Sequence, residues 1–361
     1  MEKFTVELGA RSYDILIGPG LLGEAGRRLR EAECRGKIML VSNEKVYNLY
    51  GEMAAAAIAS AGYKMTTALI PDGEEYKTLA TAEALYNKAF DSGLDRGSAI
   101  VSLGGGITGD LAGFVAATYM RGIAFVQLPT TLLAQVDSSV GGKVGVNHPA
   151  GKNIIGAFHQ PRLVLADTAT LGTLEAAEIR AGLAEVIKYG VIWDGEFLAW
   201  LEEHLDLLLR LDPAAVGKAI GISCRIKSAV VAEDEREQGI RAILNFGHTV
   251  GHAVEALTGY RVYRHGEAVA IGMAAEARLA VKTGRLDPAR SRRLETMLGR
   301  AGLPVAIPPG LSPQDLLASM LKDKKTMGGE LTLILPNELG RVEIVRNLAP
   351  ERVLAIIAEL W

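Results

Sequence analysis

Apolar and polar positions follow two rhythms along this chain, and the change falls near residue 175. At the start, 4–8 and 13–18 alternate with a period of two across a short turn containing Gly9, which predicts a β-hairpin. Unbroken apolar runs of strand length follow at 37–42, 65–70, 98–103, 123–128 and 163–167, with helical segments between them. That β-α-β alternation predicts an open parallel sheet, whose strands are covered on both faces and so lose the period of two. Beyond 175 the helical period dominates. Helices are predicted at 177–193, 196–209, 213–232, 249–258, 267–282, 288–301 and 313–324. A strand pair at 331–335 and 341–345 precedes a closing helix at 350–360. The pattern therefore reads as an α/β domain, 1–175, and a mostly α-helical domain, 176–361. The cleft between them is the expected ligand site.

Composition narrows the class. At 361 residues the chain exceeds the ~250–300 at which a single core usually stops growing, in keeping with two domains. A net charge of −3 without a basic stripe argues against nucleic acid as a partner. Two cysteines, Cys34 and Cys224, are too few for a disulfide framework, so a reducing cytoplasm is the expected setting. The first residues alternate as a strand and show no signal-peptide pattern, and no run of ~18 apolar residues occurs, so no membrane partner is expected.

Three loops in the first half follow predicted strand ends. Gly104-Gly105-Gly106-Ile107-Thr108-Gly109-Asp110 opens a helix, where glycines let backbone N–H groups approach an anion and the helix terminus favours negative charge. Its spacing is neither the usual dinucleotide fingerprint nor a P-loop. Asp72-Gly73-Glu74-Glu75-Tyr76-Lys77 follows a second strand, and Thr130-Thr131 a third. Strand ends of an open parallel sheet share one edge, where such folds bind ligands, so the three loops together point to a dinucleotide. Asp137 to Lys143 and Lys152-Asn153 are polar and glycine-rich. They read either as solvated loops or as holders of a phosphorylated, hydroxylated anion.

In the second half, His248 and His252 stand four residues apart at a predicted helix start, so both face one side. They read either as helix histidines satisfied locally or as groups for metal binding and proton transfer. Glu185 and Lys188 lie on an otherwise apolar helix, and a buried carboxylate there needs a partner such as a metal. His265-Gly266-Glu267 opens a further helix. One Glu and two His from separate segments make a donor set that suits zinc or a related divalent ion.

Taken together, Asp72–Lys77, Gly104–Asp110, 137–143, 151–153, 185–188, 245–252, 265–267 and 322–325 resemble the 3-dehydroquinate synthase family, in order and across nearly the whole chain. The resemblance implies a Rossmann-like first domain with NAD bound along Asp72–Lys77, Gly105–Asp110, Thr130, Thr131 and Thr170-Leu171-Gly172-Thr173, and at Asp137, Lys143 and Lys152. It implies Zn2+ or Co2+ held by Glu185, His248 and His265, with His252 turned to the substrate phosphate instead. The substrate shell it implies is Asp137, Lys143, Lys152, Asn153, Lys188, Arg241, Asn245, His252 and Lys325. Among these Lys143, Lys152, Glu185, Lys188, Arg241, Asn245 and His252 would carry the catalysis. Arg121 would reach the phosphate in a neighbouring subunit, hence a homodimer. The implied activity converts 3-deoxy-D-arabino-heptulosonate 7-phosphate to 3-dehydroquinate, a step of the shikimate pathway, by transient oxidation, phosphate elimination, re-reduction, ring opening and aldol closure.

Three rivals share parts of this constellation. Sibling sugar-phosphate cyclases making inosose or valiolone rings share the NAD and metal positions, but their substrates lack the carboxylate that Arg241, Asn245 and Lys188 suit. A glycerol-type alcohol dehydrogenase would consume NAD in proportion to product. A non-catalytic NAD-binding regulator would need the Glu-His-His set to be structural.

Overall fold

The computed structural model describes residues 1–149, 151–325, 331–346 and 348–359, except for the side chains of 323–325. They form two compact units: Met1–Leu174 with Val216–Ala232, and Glu175–Ala215 with Glu233–Trp361.

The first unit runs β1 (Glu2–Val6), β2 (Tyr13–Gly18), α1 (Ala25–Glu31), β3 (Ile38–Asn43), α2 (Glu44–Val46), α3 (Glu52–Ser60), β4 (Met65–Ile70), α4 (Leu79–Asp91), β5 (Ala99–Gly104), α5 (Gly106–Thr118), β6 (Ala124–Pro129), β7 (Lys143–His148), β8 (Gly151–Phe158) and β9 (Leu163–Asp167). Its seven-stranded sheet has the order β1-β2-β9-β6-β5-β3-β4. Only the β1–β2 pair is antiparallel. Every residue of β3, β5 and β9 is buried, which is why these strands read as solid apolar runs. Chain order reverses direction across β5 and β3, so the loops leaving those two strands flank a switch point, where open α/β sheets take ligands.

One expectation needs correcting. The glycine-rich stretch read as loops at 143 and 151–153 is a hairpin, β7 paired antiparallel with β8. Val144 and Val146 bury against the α5 face of the sheet, and Gly145 faces Gly156 at a distance no side chain would allow. The small residues that suggested a loop are there because the two strands press together.

The second unit contains α6 (Ala176–Ile192) and α7 (Gly195–Leu209). α8 (Pro213–Glu233) comes next, with Val216–Ala232 belonging to the first unit. Then come α9 (His248–Leu257), α10 (His265–Lys282), α11 (Pro288–Arg300), α12 (Pro313–Lys325), β10 (Thr332–Glu338), β11 (Arg341–Arg346) and α13 (Pro350–Ala358). α6 and α10 are buried almost all round, from Ile179 to Ile192 and from Gly266 to Ala280. Among the described residues no helix is long and apolar enough to cross a membrane. Cys34 and Cys224 are buried free thiols whose pKa values burial pushes up to about 11 and about 12, so both stay protonated and unreactive.

Burial also places a pH limit on the first unit. His159 stacks on Phe125 and donates its Nε2–H to the carbonyl of Ile123 at 2.9 Å, and desolvation holds its pKa below 6.5. The unfolded chain therefore binds the proton first as pH falls. Stability is full above about 6.5 and declines below it, by at most ~1.4 kcal/mol per pH unit from this group. Urea midpoints at pH 7.5 and 5.5 should differ less in His159→Gln than in the parent; equal differences would remove His159 from the account.

Candidate active site

The first unit gathers polar side chains along the carboxyl edge of its sheet. α5 begins at Gly106 with Gly105 as its N-cap, and no side chain caps its first N–H groups, which leaves them for an anion. The cradle is close-fitting: a Cβ on Gly106 would press on Ser138 Oγ at 3.0 Å, and one on Gly105 would meet Thr131 at 3.2 Å. Lys77 is buried and reaches both Asp110 Oδ2 and Asn153 Oδ1, each at 2.5 Å. Burial, the larger influence, pushes the Asp110 carboxyl above its ordinary range, and Lys77 opposes it. Asn147 donates to Glu74 Oε1 at 2.7 Å and accepts the backbone N–H of Asn153 at 3.0 Å. Lys152 Nζ lies 4.0 Å from Glu74. The loop at 72–77 and the β7–β8 hairpin thus form one network. Thr130 and Thr170 are buried, and Thr170 Oγ1 donates to Asp167 O at 2.7 Å. Thr173 Oγ1 and Tyr50 Oη share a hydrogen bond of 2.6 Å. Arg121 is not part of this edge: it follows α5 and precedes β6, at the sheet's opposite end.

The second unit brings Glu185, His248 and His265 together, one ligand atom from each lying within 4.8 Å of the others. Glu185 is fully buried on α6. Its Oε1 stands 3.7 Å from His248 Nε2 and 3.9 Å from His265 Nε2. His248 donates Nδ1–H to Phe246 O at 3.2 Å, so its Nε2 presents a lone pair to the carboxylate. Burial, then the charges of Lys188, His265 and His252, hold His248 well below its ordinary pKa, so the ring does not supply the missing cation itself. Neither Glu185 oxygen accepts a hydrogen bond, although Lys188 Nζ sits against Oε2 as an ion pair. Acceptors converge here with too few donors between them, and a divalent cation fits that set.

Around these groups, Arg241 is almost wholly buried and donates to Glu235 O, while Asn245 Nδ2 donates to Glu237 Oε1 at 2.9 Å. The His252 ring lies 5.4 Å from His248 and 6.1 Å from His265 between centroids. The Lys325 side chain falls outside the described residues.

Family models for the N-terminal and C-terminal parts of 3-dehydroquinate synthase match residues 67–181 and 182–326. The 3-dehydroquinate synthase of Pelotomaculum thermopropionicum is 58% identical over 358 residues, covering 99% of this chain and 96% of that protein. The chain belongs to the 3-dehydroquinate synthase family. Two solved structures of other cyclases superpose along the whole fold. One is 2-deoxy-scyllo-inosose synthase complexed with carbaglucose-6-phosphate, NAD+ and Co2+, with TM-score 0.89 and 27% identity over 100% of both chains. The other is 2-epi-5-epi-valiolone synthase from Streptomyces hygroscopicus subsp. jinggangensis with NAD+ and Zn2+ bound. Its TM-score is 0.89 and its identity 28%, over 98% of this chain and 97% of that one.

Sequence reasoning passed over three residues of this 3-dehydroquinate synthase family member. Lys227, 7% exposed on α8, holds Asp137 through its carboxylate at 2.7 Å and its carbonyl at 2.8 Å. A lysine in an apolar helix was its only signal. Asn43, at the end of β3, donates to Asp72 Oδ1 at 3.0 Å. Glu255 accepts from His265 Nδ1 at 3.4 Å. It continues the stripe of His248 and His252 at i+7, a spacing that could have exposed it.

Proposed function

We propose that the chain converts 3-deoxy-D-arabino-heptulosonate 7-phosphate to 3-dehydroquinate and phosphate, with NAD on the first unit and zinc or cobalt on Glu185, His248 and His265. The observation that carries the choice of product is the 58% identity to a 3-dehydroquinate synthase over almost the full length, against 27–28% to the inosose and valiolone synthases. When bound, the ion supplies Lewis acidity at a substrate hydroxyl and NAD accepts, then returns, a hydride, so the net reaction is redox-neutral.

The chain's own residues bind and orient. Lys188 pairs with the Glu185 carboxylate, and the Phe246 carbonyl holds the His248 tautomer with Nε2 free. Arg241 and Asn245 offer donors to the substrate carboxylate. Lys143, Lys152, Asn153 and His252 position the phosphate, and Asp137 is held for substrate by Lys227. Phosphate departs with a proton taken by one of its own oxygens, which explains why no strong general base is needed there. Asp72–Lys77, Gly105–Asp110, Thr130, Thr131 and Thr170–Thr173 hold NAD, with Asn43 fixing Asp72. The position of Arg121 away from that edge suits a role in a neighbouring subunit of a homodimer, and two buried, inert thiols suit the cytoplasm.

The test is phosphate release from the heptulosonate phosphate with trace NAD. One phosphate per dehydroquinate is expected, with no NADH accumulating and full loss on chelation. NADH in proportion to product without phosphate would put the chain with the glycerol-type dehydrogenases. Turnover of a hexose phosphate lacking the carboxylate would put it with the sibling cyclases.

A further inference from the structure

We infer that Glu255 is a positioning residue for the metal: its carboxylate accepts the hydrogen bond of His265 Nδ1–H and so turns Nε2 towards Glu185. The inference rests on the metal reading above. Two of the three proposed ligands are already immobilised. Glu185 is fully buried in α6, and His248 is tethered through Nδ1 to the Phe246 carbonyl. His265 is different, because it is the first residue of α10 and its side chain is 34% exposed. A ring so placed can rotate, and rotation exchanges which nitrogen faces Glu185. Glu255 stops this from the last turn of α9. It is 6% exposed, and its Oε2 lies 3.4 Å from His265 Nδ1, while Nε2 of the same ring lies 3.9 Å from Glu185 Oε1. One imidazole therefore spans two carboxylates, one on each nitrogen. A carboxylate that accepts from the far nitrogen of a metal-bound histidine fixes its tautomer and raises its basicity. The bond is long, so its worth lies in the charge of the acceptor.

The same atoms admit a competitor, since His252, Glu255 and His265 also lie within 4.8 Å of one another and could take a second ion. The experiment separates the two. Zinc affinity is measured by competition with a chromophoric chelator on the full-length protein, for the parent, Glu255→Gln, Glu255→Ala, His265→Ala and the Glu255→Ala/His265→Ala double variant. Metal-free melting is recorded beside it. The expected result is one zinc per chain, weakened ~10–100-fold in Glu255→Ala and less in Glu255→Gln, with no further loss when Glu255→Ala is added to His265→Ala. The visible spectrum of the cobalt form should shift in both Glu255 variants. Unchanged affinity in Glu255→Ala beside weakened affinity in His265→Ala overturns the positioning role and leaves the metal reading intact. Unchanged affinity in His265→Ala overturns both. Two zinc ions in the parent and one in Glu255→Gln would make Glu255 a ligand, which also overturns the proposal. If Glu255→Ala does not fold, Glu255→Gln carries the comparison alone.

Discussion

Replacing Glu185 with Gln is expected to lower phosphate release by at least ~10³-fold, because Lewis-acid stabilisation worth several kcal/mol is lost at ~1.4 kcal/mol per decade. The amide keeps the volume of the carboxylate but removes its charge. It also turns an NH2 group into the space that faces His248 Nε2 and His265 Nε2. A structural consequence accompanies the catalytic one and has its own sign. Lys188 is 1% exposed and loses its carboxylate partner, with the Tyr189 ring 5.2 Å from its Nζ. Removing one member of a buried pair costs about 3–5 kcal/mol, since the other charge stays desolvated. The metal-free Glu185→Gln protein should therefore be less stable than the metal-free parent. Glu185→Gln/Lys188→Met should regain most of that stability and none of the activity. Denaturation of the stripped proteins, read beside phosphate release, checks both halves. A single variant as stable as the parent would mean that the pair is already broken without metal, and retained turnover would dismiss Glu185 as a ligand.

What could be read from sequence divides by the range of the interaction. The helices α6, α9 and α10 were legible to within two residues, because a 3.6-residue period is a local property. The His248–His252 pairing was legible for the same reason. The approach of Glu185 to His248 was not, since sixty-odd residues and two helices intervene and no spacing rule spans them. Nor was the return of Val216–Ala232 to the first unit. Periodicity tells which face of α8 is apolar, but not that Lys227 on that helix meets Asp137, far away in sequence. Glycine is the sharpest case. Inside a helix it reads as a cost of ~1 kcal/mol and a weakened assignment. In α10 that reading misses why Gly266 and Gly272 are there.

Gly272→Ala should be among the most damaging single-methyl changes in the second unit, although Gly272 is not itself a proposed ligand. A Cβ there would fall inside van der Waals contact of the carbonyl of Gly247, with the backbone N–H of Gly251 2.9 Å away. Backbone cannot rotate aside as a side chain does. Gly247 is itself fixed, in the left-handed region at φ 79° as the N-cap of α9, with its N–H donated to the buried carboxylate of Glu276 at 2.8 Å. α10 meets α6 in the same way, since a Cβ on Gly266 would collide with the Ala181 carbonyl. Each such contact lies close in sequence to a proposed ligand: Gly247 precedes His248, Gly266 follows His265, and Ala181 is one helical turn before Glu185. Three helices packed backbone to backbone are what hold three ligand atoms within 4.8 Å. Overpacking usually costs ~1–3 kcal/mol and more where neighbours cannot give, so a loss of ~3 kcal/mol and a melting point lower by ~6–12 °C are expected. Because the methyl drives α10 from α9 where His248 begins, zinc affinity should fall even at temperatures where the variant is fully folded. Calorimetric melting and chelator competition at 10 °C measure the two effects separately. A destabilised Gly272→Ala that still binds zinc as the parent does would show that the helix contacts hold the fold but not the ligand geometry.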